Sequence, residues 1–199
     1  MDNQDKKREL ILEAALKRFA HFGLSKTTMA EIAQDLSFSK ALLYYYFPDK
    51  IRLYAAVMQS LIETMGAVIR QEVAGSKTAL DAMLIYLQKR QEFVKTHYNL
   101  LSESDKTPEM PQSVLEIFQN AVDAEKVLIA EIFAKAEQNG EIRPVKDREM
   151  LADIFQNAVT GIRLHVRMPH KFMLPDKGQF DLILGKEKML ASIFFKGLQ

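Results

Sequence analysis

The sequence predicts an all-α fold, and three observations carry that reading. Apolar residues recur at three- and four-residue steps along most of the chain. No apolar–polar alternation persists over the length of a strand. Only 8 Gly and 6 Pro interrupt 199 residues, so long periodic segments run unbroken. The length allows one large domain or two small ones.

The N-terminal helix is expected over about Gln4 to His21, with Leu10, Ile11, Ala14, Ala15, Phe19 and Phe22 forming one apolar face. Gly23 follows where a left-handed C-cap is needed. Thr28, with Glu31 three residues on, is a capping box that starts a short second helix ending near Asp35. Ile32, Ala33 and Leu36 point inward, and Phe38 packs in the turn. Ser39 caps a third helix, from which Leu43, Tyr46 and Phe47 close a small core against Ile11 and Phe19.

A fourth helix opens at Pro48-Asp49, with proline in its first turn, and runs to about Ala74. Leu53, Val57, Leu61 and Met65 form one apolar stripe, and Tyr54, Met58, Ile62 and Ile69 form a second beside it. A helix greasy on two faces needs cover from two sides, which makes it a connector. The expected domains are therefore residues 1–48, a connecting helix 49–74, and residues 75–199, with a bend at Gly75-Ser76.

Four further segments follow. Thr78 to Tyr98 carries Leu80, Leu84, Leu87, Val94 and Tyr98 on one face. Gln112 to Asn139 turns Leu115, Phe118, Val122, Ile129, Ile132, Phe133 and Ala136 inward and stops at Gly140. Asp147 to Val166 carries Leu151, Ile154, Phe155, Ala158, Ile162 and His165, and Phe180 to Phe195 forms the last helix. Leu101 to Met110 reads as a loop or short turn, and Met168 to Gly178 as a connector broken by Pro169, Pro175 and Gly178.

Composition limits the function classes. Net charge is +1, so any contact with a polyanion must come from a local patch. Cysteine is absent, which excludes disulfides and thiolate metal sites and fits a reducing, cytoplasmic setting. The charged opening MDNQDKKREL lacks the apolar core of a signal peptide, and no apolar run is long enough for a bilayer, so no membrane partner is expected. Enzyme chemistry has no foothold: there is no Gly-rich phosphate loop, no HExxH and no GxSxG. The four histidines His21, His97, His165 and His170 are scattered, and Pro169 breaks the helical spacing of the last two. No cofactor and no metal are expected.

Two short helices joined by a tight turn suit the DNA major groove. Here the residues carry a family likeness. Arg8, Ile11-Leu12, Ala15, Phe19 and Gly23, then Thr28, Ile32-Ala33, Ser39, Leu43-Tyr44, Phe47 and Lys50, resemble the pattern of the TetR (tetracycline repressor) family of bacterial transcription regulators over the first quarter of the chain. The chain departs from that pattern at Ser37 and Phe38, usually Gly and Val, and at Ala41-Leu42, often Gly-Thr.

The resemblance implies a helix-turn-helix DNA-binding domain followed by a helical ligand-binding and dimerisation domain. By it, Thr28, Ser39, Lys40, Ala41, Leu42, Tyr44, Tyr45 and Lys50 face a double-stranded DNA operator. Thr28, Tyr44, Tyr45 and Lys50 are the phosphate contacts, while Ala41 and Leu42 touch thymine methyls. Lys40 has two readings, guanine or phosphate. Lys6, Lys7 and Arg8 form either a backbone-touching arm or a solvated tail. The resemblance also implies a homodimer, expected through Leu151, Ile154, Ala158, Gly161, Ile162, Leu190 and Phe194. It further implies a small-molecule effector, largely apolar, near Met83, Tyr86, Phe93, Phe118, Phe155 and Arg163. Each of those six has plain core packing as its alternative, and Arg163 has two readings of its own, a partner for a ligand anion or an exposed interface charge. The expected function is a ligand-responsive regulator, a repressor by family frequency; the alternatives are an activator, or a helical module using the same motif for protein contacts.

Overall fold

The computed structural model describes residues 3–101, 111–167 and 177–199, and no strand occurs among them. Among the described residues the helices are, in order, α1 (Asn3–Phe22), α2 (Met29–Asp35), α3 (Lys40–Tyr46), α4 (Lys50–Ala74), α5 (Ala79–Thr96), α6 (Gln112–Gln138), α7 (Arg148–Arg167) and α8 (Lys177–Leu198), and residues 98–101 are helical as well. Residues 102–110 and 168–176, where a loop and a connector are expected, lie outside the described residues, as does His170.

Local chemistry sets the boundaries. Asp49, Thr78 and Asp147 accept from the backbone N–H three residues on, at 2.8, 3.0 and 2.9 Å, and so cap α4, α5 and α7. Pro48 therefore stands ahead of the cap and not in the first turn of α4. Gly23 (φ 83°) ends α1. Gly140 (φ 70°) ends α6 with Glu141 N–H on the Ala136 carbonyl at 2.8 Å, the six-to-one bond of a left-handed C-cap. The last helix is longer than its periodicity suggests, reaching Lys177 and Leu198.

Two compact units are present. Unit 1 is Met1–Glu63 with His97–Gln119, and unit 2 is Thr64–Thr96 with Asn120–Gln199. In unit 1, Ile11, Ala15, Phe19, Ile32 and Leu43 are fully buried, and the Phe19 ring meets Tyr54 edge-on at 5.4 Å. Both stripes of α4 contribute buried residues, Leu53 and Val57 on one and Tyr54 and Met58 on the other. Leu10 and Phe22, assigned to the inner face of α1, are instead about half exposed.

Unit 2 centres on Phe133, with Phe155 at 6.0 Å and Phe195 stacked at 5.5 Å. α8 packs on α5 and on α7. Three expected faces are corrected here. The buried seam of α5 is Ala79, Ala82, Met83, Tyr86 and Leu87, while Leu80 and Leu84 sit at its edge. On α6, Leu115 and Val122 are exposed. On α7, Ile154 and His165 are exposed, and Ala152, Phe155 and Val159 point in. A three- or four-residue step is satisfied by two adjacent helical faces, and only the neighbours decide which is covered.

Candidate functional site

The helix-turn-helix is held by three local devices. The first is the capping box. Glu31 N–H donates to Thr28 Oγ1 at 3.3 Å, and the Glu31 carboxylate takes the Thr28 N–H at 2.8 Å and its hydroxyl at 2.7 Å. The hydrogen bond from the Thr28 hydroxyl holds the Glu31 carboxyl below its ordinary value. The second is the turn. Ser37 takes φ 53°, the one left-handed non-glycine among the described residues, while Phe38 N–H reaches the Ala33 carbonyl at 2.9 Å. A small polar side chain tolerates that conformation at a cost of about 1 kcal/mol. The third is Arg18, whose Nε and Nη2 grip both oxygens of Asp35 at 2.5 and 2.7 Å and tie α1 to the end of α2. That guanidinium keeps the Asp35 carboxyl low.

Ser39 Oγ accepts the Leu42 N–H at 3.2 Å and starts α3. Leu43 is the buried anchor of that helix. Lys40, Ala41, Tyr44 and Tyr45 are exposed on its outer face, and Leu42 and Tyr46 are half-buried. Tyr45 is not idle: its hydroxyl accepts from Gln4 Nε2 at 3.0 Å and its ring meets Tyr46 edge-on at 5.3 Å. Arg8 lies over the Phe47 ring at 5.6 Å while remaining exposed, as is Lys6.

Lys50 is placed by a contact that the sequence does not announce. Its ammonium donates to the carbonyls of Leu24 (2.7 Å), Thr27 (3.0 Å) and Ser25 (3.4 Å), fastening the loop that delivers Thr28. Lys50→Met is therefore expected to lower stability by about 1–2 kcal/mol, because a charged donor to three carbonyls is lost and part-buried oxygens are left bare. Thermal melting reads that change. The salt dependence of DNA affinity separates two roles: a clamp leaves the slope unchanged, and a phosphate contact lowers it by about one.

In unit 2 the expected effector residues separate. Met83, Tyr86 and Phe155 are fully buried in the core, and Phe93 is half-buried. Phe118, also half-buried, belongs to unit 1. Arg163 is not an exposed charge: its Nε donates to Glu187 at 2.6 Å, and Glu187 is 1% exposed. Beside it, Glu125 accepts from Tyr86 Oη at 2.8 Å and from Arg90 Nε at 2.9 Å. Burial opposes the Glu125 charge, but Arg90 and then Arg163 hold its carboxyl below the ordinary value; burial and the Glu125 charge push the Tyr86 hydroxyl up. Arg90, Glu125 and Glu187 were missed as site residues. Glu187 carried a signal: it stands four residues from both Ile183 and Ala191, a charge on an apolar row.

The expected dimer residues also divide. Leu151, Leu190 and Phe194 lean on the unit 2 core, whereas Ile154 and Gly161 are exposed, with Ala158 and Ile162 half-buried. Two exposed rows run along these helices, Met150–Ile154–Gly161–Leu164 on α7, which includes two of the expected residues, and Leu182–Gly185–Met189–Ile193 on α8. Both follow three-, four- and seven-residue steps, the spacing of a helix-packing seam. A Cβ at Gly161 or Gly185 meets nothing within 4 Å, so neither glycine serves packing among the described residues.

Similarity to known proteins agrees with this geometry. The family model for bacterial regulatory proteins of the tetR family matches residues 11–57. The HTH-type transcriptional regulator RutR of Escherichia coli (strain K12) is 42% identical over 57 residues, which are 29% of this chain and 27% of that protein. The matched segment is thus about a quarter of that relative's length. A transcriptional regulator from Cytophaga hutchinsonii ATCC 33406 superposes with a TM-score of 0.84 at 28% identity, covering 97% of this chain and 98% of the other. A regulator from Saccharomonospora viridis in complex with choline shares the fold at a TM-score of 0.68 and 15% identity, over 96% of each chain.

Proposed function

Because this chain belongs to the tetR family of bacterial regulatory proteins, we propose that it is a homodimeric transcription regulator that reads an operator with α3 and leaves it when unit 2 binds a small molecule. The observation that carries the DNA reading is the split of α3. Leu43 locks one side into the core, and Lys40, Ala41, Tyr44 and Tyr45 stand together on the other. A short helix so anchored presents a fixed edge to the major groove. Tyr44 supplies a hydroxyl to the backbone, and Ala41, with no polar atom, suits a thymine methyl.

One such helix reads few base pairs, and two-fold pairing supplies the second. The exposed apolar rows of α7 and α8, each with a glycine on the row, support pairing there. Effector release follows if ligand favours one setting of α4, a helix belonging to both units, at which the paired recognition helices no longer match one stretch of duplex. The choline complex of the Saccharomonospora regulator supports a small-molecule site on this fold. The repressor assignment rests on family frequency.

Fluorescence anisotropy against the DNA upstream of the gene, at two salt concentrations, tests the reading. Affinity is expected to fall steeply with salt. Ala41→Ser and Leu42→Gln are expected to change which operator sequence wins, by about 1–3 kcal/mol per affected base pair, at an unchanged salt slope. Affinity insensitive to salt would instead assign the motif to protein contacts.

A further inference from the structure

Two buried side-chain atoms lack a hydrogen-bond partner among the described residues: Arg163 Nη2, a donor, and Gln91 Oε1, an acceptor. Buried polar atoms are seldom left open, and each open one calls for a physical explanation. Both lie in unit 2, and both side chains are locked at another atom. Arg163 Nε is held by Glu187, and Gln91 Nε2 donates to the Phe180 carbonyl. That bond fixes the amide orientation, because turning it over would set two oxygens against each other. The anchors, residues 180 and 187, stand two turns apart on one face of α8, about 10 Å along its axis. Gln91 is 7% exposed and the Arg163 side chain 16%.

The surrounding charges decide what chemistry fits. Arg90 faces Glu125 and Arg163 faces Glu187, so the two part-buried cations already have two carboxylates. A further anion would add an uncompensated buried charge, whereas an uncharged oxygen would satisfy Arg163 without that penalty. We propose that the effector of unit 2 is an uncharged polar molecule that gives a carbonyl or amide oxygen to Arg163 Nη2 and an N–H or O–H to Gln91 Oε1. This rests on the ligand-responsive reading and narrows the largely apolar effector expected from resemblance to one with two polar ends. It also reverses the sign of the obvious guess, an anion on an arginine.

The test uses the full chain and calorimetric titration with linear diamides, succinamide to suberamide, beside the dicarboxylates of the same lengths. A diamide is expected to bind saturably and at least tenfold more tightly than its dicarboxylate. Gln91→Met is expected to weaken it at least tenfold, as is the paired change Arg163→Met with Glu187→Met, which removes both charges together. Melting curves of the free variants establish that they fold, and Gln91→Met, which buries no new polar atom, remains decisive if the pair does not. A dicarboxylate that binds as tightly as its diamide overturns the charge argument. Absence of saturable diamide binding, binding indifferent to both changes, or ordered water alone at both atoms in diamide-soaked crystals overturns the site. Diamide binding that leaves DNA affinity untouched sinks ligand-responsiveness and spares the site. A compound that releases DNA with equal affinity in all variants does the reverse.

Discussion

Ile154→Glu combined with Ile193→Glu is expected to yield a folded monomer that has lost operator binding. The two side chains are 51% and 60% exposed, so within one chain their replacement changes stability by no more than about 0.5 kcal/mol. Across a two-fold interface each counts twice. Fully burying a large aliphatic side chain is worth about 1.5–3 kcal/mol and about half of that is still to be gained here, so the four contribute roughly 3–6 kcal/mol to association, and four carboxylates repel in their place. Analytical ultracentrifugation should show the mass halve while the melting temperature of the monomer holds. DNA affinity should drop by a factor on the order of 10³, toward non-specific binding, and the salt slope should fall by about half. A stable dimer in the double variant would remove the α7–α8 rows from the interface.

Glu125→Ala is expected to be the most destabilising single exchange of a polar residue in unit 2. It strips Arg90 of its carboxylate and the Tyr86 hydroxyl of its acceptor. Leaving a buried charge unpaired costs about 3–5 kcal/mol; with Arg90 26% exposed at the side chain, about 3 kcal/mol is the better figure. At the size of this chain that is about 6–12 °C in melting temperature. Removing both partners, as in Arg90→Met with Glu125→Leu, should recover most of the loss, because the stranded charge is gone. A double variant no more stable than Glu125→Ala would show that packing, and not the charge pair, sets the cost. The pair also predicts acid lability. The folded carboxyl lies below the ordinary 4.5, so its contribution is complete above that pH and is lost as pH falls through the depressed value.

The parts of this protein that were legible in its sequence share one property: their partners are near in the chain. Thr28 and Glu31 meet across three residues, Ser39 and Leu42 likewise, and the left-handed turn at Ser37 closes onto Ala33 and Gln34. Such contacts follow from backbone geometry and need no knowledge of the fold. What failed was the choice between adjacent faces of a helix. Leu115 and Val122 fit the period of α6 as well as Ile129 and Ile132 do, yet only the latter are covered. The same ambiguity runs along α8, where Leu190 and Phe194 lean on the core while their neighbours Met189 and Ile193 are exposed.

By itself the sequence determined the helices, their caps, the helix-turn-helix and its family, because each depends on residue types at fixed short separations. Only the tertiary structure decided that Lys50 fastens the loop ahead of Thr28, that Arg163 belongs to Glu187, and that Gln91 keeps an open oxygen. Those pairs join residues 26, 24 and 89 positions apart, and no local rule brings them together: their meeting is set by which helix faces the core covers.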